Sequence, residues 1–199
     1  FWYCSSLTSI EIPSGVTSIG DYAFTYTRIN NLTIPNNVTS IGTATFNGCS
    51  KLESIVIPNS VISLGDSAFY KCVLLESIVI GSSVTSIGGS TFRGCSSLES
   101  IEIPEGVKSL GYWVFEDCSN LTSIKIPDTV TSIGSYAFNN CNGLKGVYIT
   151  DIEAWCGIDF SASNSNPLYS GAALYLNGEL MTDIEIPDSV TSIGSYAFS

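Results

Sequence analysis

The sequence predicts a mostly β solenoid in which short coils stack on one another in a right-handed sense. The main observation is a period of about 23 residues, at which Cys49, Cys72, Cys95, Cys118 and Cys141 follow one another. Phenylalanine, proline and glycine recur with the same period, and 44% of the 199 residues are hydrophobic. A fixed period of about 20 to 50 residues is typical of repeat proteins, in which a coil buries its apolar face only against its neighbours.

Each coil is expected to contain a short strand of about four residues that pairs in parallel with the next. Near residue 100, Ile101 and Ile103 alternate with Glu102, and Pro104 ends the run. Alternating β-branched residues before a proline indicate a strand. The same pattern recurs in eight coils, so eight such strands are predicted on one side of the solenoid. Packing constrains the inward residues and leaves the outward ones free to vary. The outward row reads Glu11, Thr33, Val56, Val79, Glu102, Lys125, Tyr148 and Glu185.

The rest of each coil is expected to consist of a second short strand and turns. Val107 and Leu110 face the same interior as the first strand, and Gly111 then turns the chain. The segments that follow are too short for regular helices, so turns or single 3-10 turns are predicted there. Phe115 and its equivalents in the other coils should enter the core and form a stack of rings.

The repeated cysteines are predicted to be buried free thiols. Stacked coils lie about 4.8 Å apart, so parallel Cβ atoms would be farther apart than the roughly 3.5–4.5 Å that a disulfide prefers. Cys4 begins the series and Thr27 interrupts it. Sulfurs arranged in parallel along an axis do not converge on a metal ion. Cys156 lies outside the series and is expected to be buried beside Trp155.

The repeat is interrupted at about residues 150–182. Thr150 stands where a coil would have proline, and the next proline of the series, Pro187, follows at a distance well over one repeat. Thr150 followed by Glu153 fits a capping box, in which Thr150 is the N-cap of a helix of about two turns at 151–157.

A β-hairpin is predicted in the second half of this insertion. Asn177-Gly178 lies between apolar alternations, and both residues suit a turn that requires positive φ. Insertions in repeat proteins are often functional, so the insertion is a candidate recognition element. The alternative is that Trp155, Leu168 and Tyr169 seal the core where one coil is lost.

Charge and composition argue against several function classes. Seven Lys and Arg residues against 18 Asp and Glu residues give a net charge of −11, which disfavours nucleic acid as a partner. No apolar run is long enough to span a membrane. The chain has no His, the commonest general base and metal ligand. We therefore predict no enzymatic activity, no cofactor and no metal site.

The repeated unit C-x-x-L-x-x-I-x-I-P-x-x-V-x-x-I-G-x-x-A-F resembles the leucine-rich repeats of the BspA-like type, which occur in bacterial and protozoan surface proteins. The resemblance covers residues 1–150 and 183–199. It departs from ordinary leucine-rich repeats because Pro-x-x-Val stands where an asparagine usually ends the strand. Residues 1–199 are thus predicted to form a single leucine-rich repeat solenoid domain, cut within a repeat at both ends. The resemblance implies display of a binding surface outside the cell.

We expect a non-catalytic binding or adhesion module, outside a bacterial cell or on its surface, that presents its repeats to a protein partner such as a host protein. Two alternatives stay open: a glycan-binding accessory module of a larger secreted protein, and a structural spacer. The candidate binding surface consists of Val56, Val79, Glu102, Lys125, Tyr148, Trp155, Tyr169 and Tyr175. In the glycan-binding alternative, the last four of these would be the stacking platforms.

Overall fold

The structure is a computed structural model that describes residues 1–199, and it is a parallel β-solenoid, as predicted. One side, which we call the strand face, holds β3 (Ser54–Ile57), β5 (Ser77–Ile80), β7 (Ser100–Glu102), β9 (Ser123–Lys125), β11 (Gly146–Ile149) and β13 (Ala173–Leu176). The second sheet consists of β1 (Ser18–Ile19), β2 (Ser40–Ile41), β4 (Ser63–Leu64), β6 (Ser86–Ile87), β8 (Ser109–Leu110), β10 (Ser132–Ile133) and β12 (Asp159–Phe160). Two further elements, α1 (Ile152–Cys156) and β14 (Glu179–Leu180), lie in the insertion.

The prediction of eight passes on the strand face is wrong at the two ends of the chain. The segments around Glu11 and Glu185 form no strand, and Thr33 makes only an isolated bridge with Val56. The first coil has a neighbour on one side only. At the other end, β14 pairs antiparallel with β13 and occupies its outer edge, so the segment around Glu185 has no strand to extend. The strand face also contains one strand that was not predicted there: β13, from the insertion, pairs in parallel with β11.

The third side of each coil, which we call the turn face, consists of turns in which two residues have positive φ. In one coil these are Trp113, with φ of 56°, and Asp117, with φ of 62°. The turns are held by hydrogen bonds between coils: the Trp113 amide donates to the Ser135 carbonyl at 3.0 Å, and Phe115 donates to Ala137 at 2.9 Å. The expected turns are therefore present, and 3-10 turns form only in the insertion, at Ser163–Ser165 and Pro167–Ser170.

A column of phenylalanine rings fills the core, as predicted. Phe46, Phe69, Phe92 and Phe115 have no exposed surface. Successive ring centroids in this column are 5.2–5.7 Å apart, and the rings are nearly parallel. One continuous cluster of 49 buried residues surrounds the column and includes residues of the insertion, so the insertion shares the core of the repeats.

The cysteine ladder, which comprises Cys49, Cys72, Cys95, Cys118 and Cys141, is buried and unbonded, as predicted. Each thiol lies 3.1 Å from the carbonyl oxygen of a phenylalanine in the preceding coil, and the S–H group can donate to it. This orientation directs the sulfur to the backbone and not to the neighbouring sulfur. Where Thr27 interrupts the ladder, its hydroxyl donates to the Phe24 carbonyl at 2.8 Å.

Two expectations about cysteines outside the ladder have different outcomes. Cys156 is buried beside Trp155, as expected. Cys4 was expected to be buried with the ladder and is instead exposed. Among residues 1–199, no coil on its N-terminal side supplies a phenylalanine carbonyl or a covering ring.

The helix of the insertion begins at Ile152 and ends at Cys156, so it is shorter than predicted. Its N-cap is Asp151 and not Thr150: the Asp151 carboxylate accepts hydrogen bonds from the Glu153 and Ala154 amides. The Thr150 hydroxyl donates instead to the Asp128 carboxylate, at 2.7–2.8 Å. Asp is as good an N-cap as Thr, and the hydroxyl has this competing acceptor one coil away.

The insertion also packs against the last coil of the solenoid. The Trp155 indole donates to the Ala197 carbonyl at 2.9 Å, and the Asn166 amide donates to the Tyr196 and Ala197 carbonyls. Asn166 and Trp155 are both 1% exposed. These contacts support the structural role for this part of the insertion.

The predicted hairpin is present, and its turn residues Asn177 and Gly178 have φ of 51° and 86°. Replacing both residues with Ala is expected to lower the free energy of unfolding by roughly 1–2 kcal/mol, because Ala resists positive φ. Urea unfolding followed by circular dichroism measures the change. A Gly-Gly variant, which accepts positive φ, is the matched control. Equal stability of the Ala-Ala and Gly-Gly variants would contradict this account of the turn.

Candidate functional site

The strand face presents one outward residue per coil, and these residues form the predicted row. Val56 and Val79 are direct neighbours in the register of β3 and β5, and each is 60% exposed. The isoleucines on either side of them point into the core, because successive residues of a strand face opposite sides. Two adjacent, largely exposed valines make an apolar patch near the middle of this face.

A cleft separates the two parts of the strand face. The strand β5 pairs with β3, and β7 pairs with β9, but β5 and β7 are not hydrogen-bonded to each other. The opening has a volume of about 340 Å³ and is lined by the side chains of both parts. Its lining consists of Ile78, Val79, Ile80, Ser82, Glu102, Ile103, Pro104 and Glu105. Apolar and acidic groups therefore meet at this cleft.

A charged group lies next to the cleft. Glu102 is the register partner of Lys125. The Lys125 ammonium is 2.9 Å from the Glu105 carboxylate, and this hydrogen bond raises the pKa of Lys125. Glu105 was not among the predicted site residues, because it follows the proline and lies outside the strand. The signal that could have identified it is the register, which places Lys125 one coil further along.

The aromatic end of the row includes Tyr148, from a repeat coil, and Tyr175, from the insertion. They are register partners in β11 and β13, and their rings stack at 4.7 Å with an angle of 15° between planes. The Tyr148 ring also lies over Gly146, where a Cβ would be 2.9 Å from the ring. The insertion thus extends the strand face by one coil and completes an aromatic pair on it.

The other two residues of the candidate surface lie elsewhere. Trp155 is 1% exposed and its indole is hydrogen-bonded to the last coil. Its assignment to the binding surface is therefore wrong, since Trp155 lies with Ile152 on the buried side of α1. Tyr169 is 58% exposed, but it lies in a 3-10 turn and not in the strand face.

Burial governs the ionisation of the thiols in the cysteine ladder. Burial raises the pKa values of the ladder thiols, that of Cys141 to about 12, and well above the usual value for Cys72, Cys95 and Cys118. Such thiols stay protonated and are poor nucleophiles. No three His, Cys, Asp or Glu side chains are grouped so that they could hold a metal ion. The single five-residue helix cannot cross a membrane.

The repeating coil, with its parallel strand face, defines a leucine-rich repeat protein. The model of the BspA type leucine rich repeat region matches residues 1–88, 62–162 and 171–199, in six copies. The chain belongs to this family. No curated protein matches it.

Solved structures of bacterial leucine-rich repeat proteins are similar. A leucine-rich repeat protein of T. pallidum is 30% identical, with a TM-score of 0.67 over 70% of this chain and 68% of its own. One from Bacteroides ovatus is 25% identical, with a TM-score of 0.70 over 79% of this chain, and the match spans only 46% of that protein. A third, from Eubacterium ventriosum, is 21% identical over 98% of this chain and 66% of its own, with a TM-score of 0.59, and supports the fold alone.

Proposed function

We propose that the chain is a non-catalytic binding or adhesion module, displayed outside a bacterial cell, that recognises a protein partner through its strand face. The observation that carries this proposal is the neighbourhood of Val56, Val79 and the cleft. Exposed apolar residues beside a cleft, with charged and aromatic side chains around them, are typical of protein interfaces. The extracellular location is supported by membership of a family that is represented in bacterial surface proteins.

The composition of the row supports a protein partner over a spacer role. A spacer gains nothing from two adjacent valines that are each 60% exposed, whereas an interface buries such residues and gains binding energy. Glu102, Glu105 and Lys125 lie at the rim of this apolar patch, where charges contribute to specificity. The partner would thus dock an apolar group near Val79 and place polar groups around it.

The glycan-binding alternative loses its proposed platform. Trp155 is buried, and Tyr148 and Tyr175 cover one face of each other's ring. Tyr169 lies apart from the strand face. The four rings therefore do not form one surface on which a sugar chain could stack.

Binding to intact epithelial cells tests the proposal. The fluorescently labelled chain is expected to bind saturably, and protease treatment of the cells should abolish binding. The double variant Val56→Asp/Val79→Asp should bind at least about tenfold more weakly, because it places two charges in the apolar patch.

The matched control is Ile62→Asp, at a residue that is 55% exposed next to β4 in the second sheet. It should bind like the wild type, and all variants should have similar melting temperatures. Unchanged binding by the double variant would contradict the strand face as the site. Binding that resists protease but is lost after glycosidase treatment would contradict a protein partner.

A further inference from the structure

A second unassigned surface lies on the turn face, away from the strand face. We call it the aromatic patch, and it is built from Tyr70, Arg93, Tyr112, Trp113 and Tyr136 on four consecutive coils. The Trp113 ring is 6.2 Å from Tyr136 and 5.1 Å from Tyr112, and the Arg93 guanidinium lies over Trp113 at 5.3 Å and over Tyr70 at 5.8 Å. The planar groups thus follow one another along the solenoid axis.

The backbone and small neighbouring residues hold these rings in place. Tyr112 lies over Gly89 of the preceding coil, where a Cβ would be 2.7 Å from the ring. Trp113 and Tyr136 have positive φ, and the Trp113 amide is bonded to the next coil. Tyr112 and Tyr136 nevertheless remain 49% and 44% exposed. Rings that are fixed before a ligand arrives lose little conformational entropy on binding.

Planar polar groups lie beside the rings. The Asn139 amide donates to the Glu116 carboxylate at 2.8 Å, and the Asn140 amide donates to Asp117 at 2.9 Å. Arg93 Nε is 2.7 Å from Glu116 Oε2, although no donor hydrogen is aimed at that oxygen. These amide, carboxylate and guanidinium groups can exchange hydrogen bonds with hydroxyl groups.

The local charge argues for an uncharged ligand. The positive charges of Lys71 and Arg93 offset the negative charges of Glu116 and Asp117, while the chain as a whole has a net charge of −11. A basic partner would be attracted elsewhere on the molecule, and an acidic one would be repelled by the net charge. The main clefts of the molecule are lined by other residues, so a ligand of the aromatic patch must lie along the surface.

We propose that the aromatic patch binds a neutral polysaccharide chain that runs along the solenoid axis. A pyranose ring has an apolar C–H face, which packs on an aromatic ring, and a hydroxyl edge, which bonds to planar polar groups. The patch offers both kinds of group side by side, on successive coils. This site is independent of the strand face and goes beyond the proposed function.

Affinity gel electrophoresis tests the site with named probes: soluble mixed-linkage β-glucan, laminarin, xylan, galactomannan and starch. At least one of these neutral polysaccharides is expected to retard the chain. Tyr136→Ala and Trp113→Ala should each weaken the retardation about tenfold, because each removes one stacking ring. Tyr136 is the safer variant for folding, because its ring is partly exposed and Trp113 packs on Arg93.

The matched control is Tyr196→Ala, which removes a tyrosine at the same repeat position that is 49% exposed and has no aromatic neighbour. It should leave retardation unchanged, as should the strand-face variant Val56→Asp/Val79→Asp, whose own defect concerns the protein partner. Three results would overturn the proposal: no retardation by any of the five polysaccharides, retardation that survives Tyr136→Ala, or Trp113-dependent binding of poly-L-proline in place of the sugars. The last would show a peptide site.

Discussion

Replacing Phe92 with Ala is expected to lower the free energy of unfolding by about 3–5 kcal/mol, as for other fully buried phenylalanines. Phe92 has no exposed surface, and its ring stacks between Phe69 at 5.7 Å and Phe115 at 5.5 Å. The substitution removes contacts with both neighbouring coils and leaves a cavity that the regular backbone cannot close. Because a repeat protein is stabilised by contacts between neighbours, the loss affects the coils on both sides.

Guanidinium chloride unfolding, followed by circular dichroism, measures this change. The matched control is Phe198→Ala, at the same repeat position in the last coil, where the side chain is 39% exposed and stacks on no other ring. We expect the control to cost less than about 1 kcal/mol, in proportion to its smaller buried area. A Phe92→Ala variant that unfolds at the same denaturant concentration as the control would contradict the role of the ring column.

The inward residues of each coil were predictable from the sequence. Ile101, Ile103, Val107 and Leu110 were all assigned to the interior, and each is at most 5% exposed. A substitution at one of these positions would disturb the packing of the neighbouring coils, so the same positions are apolar in coil after coil. The repeat period can therefore be recognised from the apolar residues themselves. The parallel register then follows, because equivalent residues of successive coils lie side by side.

The conformation of the turns was not predictable. Trp113 and Tyr136 have positive φ, which normally favours glycine, and neither residue type signals it. The conformation is imposed by hydrogen bonds to the next coil, such as that from the Trp113 amide to Ser135. For the same reason the aromatic patch was not predicted from the sequence: Tyr70 and Arg93 share one repeat position, Trp113 and Tyr136 share another, and Tyr112 occupies a third, and these positions meet only when the turns are packed.

The insertion shows a similar limit. The hairpin could be predicted from Asn177-Gly178, because that turn is specified locally. The pairing of β13 with β11 could not, because Tyr148 and Tyr175 are farther apart in the chain than one repeat and so do not follow the period of the other coils. The burial of Trp155 likewise depends on a contact with Ala197, which is distant in the chain.

The second large effect is expected at alkaline pH, where the cysteine ladder should make the fold unstable. Burial raises the pKa of each ladder thiol above the ordinary value of 9.0. Below pH 9 the thiols are protonated in both the folded and the unfolded chain, so their contribution to the free energy of unfolding is fully present. Above pH 9 the unfolded chain releases these protons and the folded chain keeps them, so stability falls as the pH rises. Between pH 9 and 10 the loss is roughly 1 kcal/mol for each thiol whose pKa is raised furthest, or on the order of 4 kcal/mol for Cys72, Cys95, Cys118 and Cys141 together.

Urea unfolding at pH 8, 9 and 10, in the presence of a phosphine reductant, measures this dependence. In the variant Cys95→Ala/Cys118→Ala, two of these four thiols remain, so the loss between pH 9 and 10 should fall to roughly half of the wild-type value. Absolute stability also changes in that variant, but the comparison uses only its slope with pH. Cys4→Ala, at the exposed terminal thiol, is the control and should retain the wild-type slope. A wild-type chain as stable at pH 10 as at pH 8 would contradict a ladder of protonated thiols in the core.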